Sequence, residues 1–91
     1  MSKKKTIDVV IEITCHDVDE VIKAREAVLY HLETLGPEFS YNENKLTVRV
    51  QPLDLTLFEL DEGVEIIRQT LQQSLTFVEH FRVYYTEVSI Q

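Results

Sequence analysis

Near the start of the chain, apolar β-branched residues recur at every second position. Ile7, Val9, Ile11 and Ile13 are separated by Asp8, Val10, Glu12 and Thr14. A period of two in β-branched residues predicts a half-buried strand with Ile7, Val9, Ile11 and Ile13 on its core face. The period then changes. Val18, Val21, Ile22, Val28, Leu29, Leu32 and Leu35 recur at helical spacing, with Arg25 laying its aliphatic stem along the stripe. Asp17, with Glu20 three residues on, caps the start of this helix. Gly36-Pro37 stops it, because glycine accepts the left-handed position past a helix end and proline cannot continue.

Alternation returns in Phe39 and Tyr41, then in Leu46, Val48 and Val50, around the turn chemistry of Asn42-Glu43-Asn44. This predicts a hairpin. Beyond Pro52, the residues Leu53, Leu57, Leu60, Val64, Ile67, Leu71, Leu75 and Val78 are spaced by threes and fours. A long helix over about 55–78 follows from that stripe, with Asp54 or the Thr56/Glu59 pair as cap. Gly63 lies inside it at a cost of about 1 kcal/mol relative to alanine. Phe81 to Ile90, rich in Val, Tyr, Thr and Ile, reads as a last strand. The order β-α-β-β-α-β predicts an α+β fold, an antiparallel sheet with two helices on one face in the ferredoxin-like arrangement.

Ninety-one residues make one domain, expected over 6–91 behind a basic flexible tail at 1–5. No apolar run follows the MSKKK start, so neither a signal peptide nor a membrane span is expected. The lone Cys15 fits a reducing compartment, which points to the cytoplasm. The net charge is −7, and three of the nine basic residues fall within the first five positions. A body this acidic repels phosphate backbones, so direct nucleic-acid binding by the folded part is not expected.

Chemistry is sparse. Cys15, His16, His31 and His80 lack the spacing of a zinc site. Cys15 beside a helix N-terminus is positioned for a lowered thiol pKa, but nothing supplies a base held by a third group or an oxyanion hole. Two glycines cannot build a phosphate-cradling loop. No catalytic, cofactor-binding or metal residue is therefore assigned. The informative feature is apolar surface beyond one small core. Ala24, Ala27 and Tyr30 flank the first helical stripe, and Phe58, Ile66 and Phe77 flank the second. The last strand is apolar on both faces, with Tyr84, Val88 and Ile90 opposite Phe81, Val83 and Tyr85. As a sheet edge it invites pairing with another chain. These nine flanking and outer residues, Ala24 through Ile90, are the expected partner-binding set.

Two stretches carry a family resemblance. One is Val9-Val10-Ile11-Glu12-Ile13-Thr14 with Asp19-Glu20 through Glu26-Ala27-Val28-Leu29-Tyr30. The other is Leu46-Thr47-Val48-Arg49-Val50-Gln51-Pro52-Leu53-Asp54 followed by Leu57-Phe58. Together they resemble the CTAG/Pcc family, the small dimerising subunit of the KEOPS complex. Two departures stand out: Glu59 occupies the position of an expected Arg, and residues 81–90 add a strand past the family core. The resemblance implies a divergent paralogue that replaces or pairs with the ordinary small subunit. It implies a non-catalytic role in a complex that installs threonylcarbamoyl on tRNA adenosine. The implied partners are the catalytic subunit and/or a second small subunit, in a homo- or heterodimer that meets tRNA only indirectly. The acidity supports a different expectation, a regulatory or inhibitory protein, phage or antitoxin-like, that binds a basic partner by charge mimicry.

Overall fold

The protein is described by a computed structural model covering residues 4–51 and 57–90, with side chains over 7–51 and 59–87. Strand β1 (Lys4–Thr14) is followed by helix α1 (Val18–Leu32), a 3-10 turn (Glu33–Leu35), strands β2 (Glu38–Asn42) and β3 (Lys45–Val50), helix α2 (Leu57–Ser74) and strand β4 (His80–Ile90). The four strands form one sheet in the order β2-β3-β1-β4. Every neighbouring pair is antiparallel. This is the ferredoxin-like α+β arrangement that the order of elements predicts.

Register keeps the apolar alternation on one face. Val9, Ile11 and Ile13 stand opposite Val50, Val48 and Leu46 on one side, and opposite Tyr85, Val83 and Phe81 on the other. A slip of one residue would turn all of these side chains toward solvent, so burial of this face holds the register. The helices cover it. Val21, Ala24, Val28 and Leu32 of α1 and Leu60 and Leu71 of α2 join the strand residues in one buried cluster. Ile11, Ile13, Leu46, Val48, Val28, Leu60 and Leu71 are among its fully buried members.

Local signals act as their chemistry requires. The Asp17 side chain accepts from Glu20 N at 2.9 Å, and Glu20 Oε1 reaches back to accept from His16 N at 3.0 Å. Gly36 adopts the left-handed conformation (φ 62°, ψ 56°) and donates to the Glu33 carbonyl at 3.1 Å. The guanidinium of Arg25 lies 5.2 Å from the centre of the Phe39 ring.

Several boundaries differ from the sequence expectation. β1 begins at Lys4, paired with Ile90, so Lys4 and Lys5 belong to the sheet rather than to a tail. α2 ends at Ser74, four residues before the expected end. Leu75 and Val78 keep the stripe's spacing because they still pack on the core, but they do so from the turn after the helix. The start of the expected helix at 55, with Asp54 and Thr56 as caps, lies outside the described residues. In α1, Val18 and Ile22 are exposed, and Ala24 sits at the buried centre between Val21 and Val28.

Candidate functional site

The sequence-derived partner set divides by position. Tyr30 is 83% exposed and Ile66 63% exposed, and Ile66 also lines the apolar groove described below. Ala24 is fully buried in the chain's own core and presents nothing to a partner. Ala27 and Phe77 are half-buried, packed against that core. Tyr84 is half-buried on the opposite, open face of the sheet. The side chains of Phe58, Val88 and Ile90 lie outside the described residues, although the backbone of Val88 and Ile90 pairs with Thr6 and Lys4.

The helix layer carries the larger unsatisfied surface. Besides Tyr30 and Ile66, it exposes Val18, Ile22 and Leu35. The 3-10 turn and the first half of α2 enclose an apolar groove of about 240 Å³, floored by Val9, Val50 and Leu60 and walled by Leu35, Val64 and Ile67. Gly63 opens on it: a Cβ built there meets no atom within 4 Å. Further along, His31 Nε2 and Ser74 Oγ, 2.7 Å apart, tie the end of α1 to the end of α2. Charge on this layer is one-sided. Residues 17–35 and 57–74 together hold nine carboxylates and three cations. One of those cations, Arg68, is paired with Glu65.

The open sheet face is built differently. Rows of register partners cross it: Arg49–Val10–Tyr84, Thr47–Glu12–Arg82 and Lys45–Thr14–His80. Arg82 clasps both oxygens of Glu12 through Nη2 at 2.8 and 2.9 Å, and the Tyr84 hydroxyl donates to Glu12 at 3.0 Å. The Arg82 guanidinium also lies 4.9 Å from the Tyr84 ring centre. The hydrogen bond from Arg82 holds the Glu12 carboxyl below its ordinary pKa. Arg49 Nη1 donates to Asp8 Oδ2 at 3.3 Å, and Asp8 Oδ1 is buried without a hydrogen-bond partner. A shallow polar depression of about 220 Å³ lies at the end of this face, between Lys45, His80 and Arg82.

Cys15 does not behave as a helix-end nucleophile. It is fully buried, and burial, with the Glu20 and Asp17 charges adding to it, pushes its thiol pKa up. Its backbone serves structure instead: Cys15 N donates to Asn44 O at 2.8 Å, and Asn44 Nδ2 donates to Cys15 O at 2.6 Å. His16 sits against Glu20 Oε1 at 2.9 Å, and that hydrogen bond raises its pKa. Among the described residues, no three metal-binding side chains cluster. No described helix is long and apolar enough to cross a membrane.

Sequence reasoning missed the groove and the Glu12 network. The groove needs Leu35 to turn out in a 3-10 geometry, which spacing does not reveal. Glu12 and Arg82 lie 70 residues apart and meet only through the β1–β4 register. No family model matches this chain, and no curated protein matches it.

Proposed function

We propose that this chain is a non-catalytic protein-binding and dimerisation subunit of a KEOPS-type complex that makes threonylcarbamoyladenosine in tRNA, working in the cytoplasm. The observation that carries the reading is apolar surface left on the helix layer, with Tyr30 and Ile66 turned to solvent beside an open apolar groove. The likeness of residues 9–30 and 46–58 to the CTAG/Pcc family supplies the identity of the complex. In this reading the helix layer meets the catalytic subunit. The sheet offers the outer edge of β4 to a second small subunit. The acidic surface leaves tRNA to the partners.

Co-expression with a KEOPS catalytic subunit, followed by size exclusion, tests this. Co-elution at micromolar concentration, lost in Ile66→Glu and Tyr30→Glu, is the expected result. Separate elution of both proteins refutes it. The acidic helix layer favours one other reading, a binder that occupies a basic partner's groove by charge. That reading requires affinity for the partner to collapse as salt is raised, whereas an interface dominated by apolar contacts holds.

A further inference from the structure

Charge on the open sheet face is balanced in total but not along its length. Among residues with described side chains, register places three cations there, Lys45, Arg49 and Arg82, and three carboxylates, Asp8, Glu12 and Glu38. Arg49 reaches Asp8, and Glu38 stands beside Arg49 in register. Arg82 directs Nε and Nη2 at Glu12, whose Oε1 also accepts from the Tyr84 hydroxyl. Lys45 is left over. Its row holds no carboxylate: Asn42, Lys45, Thr14 and His80 stand side by side across the four strands.

The depression of about 220 Å³ lies at this end of the face, and Lys45, His80, Arg82, Thr14, Thr47 and Glu12 all line it. Among the described residues, the side chains of Lys45 and His80 form no hydrogen bond or ion pair. Lys45 meets the rest of the site only through its charge, which acts on Glu12. Lys45 and His80 flank Thr14 in register, with their strands about 10 Å apart. Glu43 and Glu79, close in sequence, do not line the depression, and Glu79 acts instead on His16 at the start of α1.

From this arrangement we propose that the depression binds a phosphate-type oxyanion carried by a small molecule. Lys45 Nζ and a ring N–H of His80 close on the anion from β3 and β4. The Thr14 hydroxyl donates from β1 between them, and Arg82 Nη1, the guanidinium nitrogen that Glu12 does not engage, adds a further donor. An anion is selected because each of these groups donates, His80 even when neutral. Glu12, the one carboxylate in the lining, already has both oxygens occupied. Donors arriving from three strands suit a tetrahedral group better than a planar carboxylate, which a single guanidinium fork matches. The volume falls below the roughly 300–1,000 Å³ of drug-sized sites, so the charged group enters and the rest of the molecule stays outside. A nucleic-acid backbone is disfavoured. It would lay further phosphates over a chain of net charge −7. The helix-layer carboxylates lie on the other side of the sheet, and salt screens exposed charges beyond about 8 Å.

The test is an NMR titration of the ¹⁵N-labelled full chain with inorganic phosphate at neutral pH, with sodium chloride holding ionic strength constant. Saturable shifts of the Thr14, Lys45, Thr47 and His80 amides are expected, with Tyr30 and Ile66 on the helix layer unmoved. Lys45→Gln should weaken binding about tenfold and His80→Gln about fivefold, the scale of one lost hydrogen bond to a charged group. Lys23→Gln makes the same charge change on α1 and should leave the affinity unchanged. All three positions are exposed, so the core is untouched. Acetate should bind about fivefold or more weakly than phosphate, and a short single-stranded oligoribonucleotide no more tightly than phosphate.

Shifts that rise without saturating, shifts that persist undiminished in Lys45→Gln and His80→Gln, or an acetate response equal to that of phosphate would each overturn the proposal. Tighter binding of the oligoribonucleotide would overturn the small-molecule source and assign the site to a nucleic-acid backbone. The site is independent of the KEOPS-type reading. A complex that still forms with Lys45→Gln, His80→Gln leaves that function standing whatever phosphate does, and phosphate binding without any such complex leaves this site standing.

Discussion

The chain's two glycines predict opposite outcomes for the same substitution. At both positions an added Cβ meets no atom within 4 Å, so neither Gly63→Ala nor Gly36→Ala creates a clash. What differs is the backbone. Gly63 lies inside α2 with no positive φ, so alanine should recover the helix-propensity deficit of about 1 kcal/mol. Gly36 closes the 3-10 turn at φ 62°, where a Cβ crowds the following carbonyl at a cost of about 1–2 kcal/mol. For a domain of this length, 1 kcal/mol moves Tm by about 4–8 °C. Thermal and urea unfolding of the two variants, followed by circular dichroism, should therefore move the midpoint up for Gly63→Ala and down for Gly36→Ala. A neutral or destabilised Gly63→Ala would refute the reasoning, because a regular and unobstructed helix interior leaves no source for such a loss. An unchanged Gly36→Ala would show that the left-handed helix end is not imposed on the chain.

Leu71, a fully buried residue of α2, should cost about 2–5 kcal/mol when cut to alanine; a loss under about 1 kcal/mol in urea titration would contradict its place in the core. The Cys15 thiol should react slowly with a disulfide reagent in the native protein and rapidly in denaturant, because burial shields it and raises its pKa; equal rates would show that it is accessible. Glu12 has its pKa lowered in the fold, mainly by the Arg82 hydrogen bond. Its contribution is present above the ordinary carboxylate range and is lost as pH falls through the lowered value. Arg82→Leu should flatten the acid limb of stability modestly, since water screens the pair, and an unchanged acid limb would show that the pair is energetically silent.

Most of the architecture is legible in the sequence because one sheet face is buried, and a buried face writes itself as alternation. β1 and the hairpin carry that mark, β4 is legible from its Val, Tyr, Thr and Ile content, and Asp17 marks the start of α1 and Gly36 the end of the 3-10 turn after it. Spacing misleads where it reports burial rather than helicity. Leu75 and Val78 continue the α2 stripe, yet they reach the core from a turn. Ranking residues by hydropathy misleads in α1 for a different reason. A fully buried position holds the small Ala24, while the larger Val18 and Ile22 are left outside. Cys15 shows the same limit in its chemistry. Proximity to a helix start can be read from sequence, but the burial that outweighs it depends on the packed fold.

The two sides of the molecule would repay a partner unequally. On the open sheet face, Glu12 is already held by Arg82 and Tyr84, and Arg49 already reaches Asp8. Covering that face would strip water from ion pairs that gain little in return. On the helix layer, covering Ile66, Leu35 and the groove removes apolar surface from water at about 25 cal/mol per Å². The outer edge of β4 offers a third kind of contact, a row of backbone groups with which another strand could pair. The helix layer and the β4 edge thus differ in kind, one apolar and one made of backbone groups, and under the proposed function the two would serve different contacts.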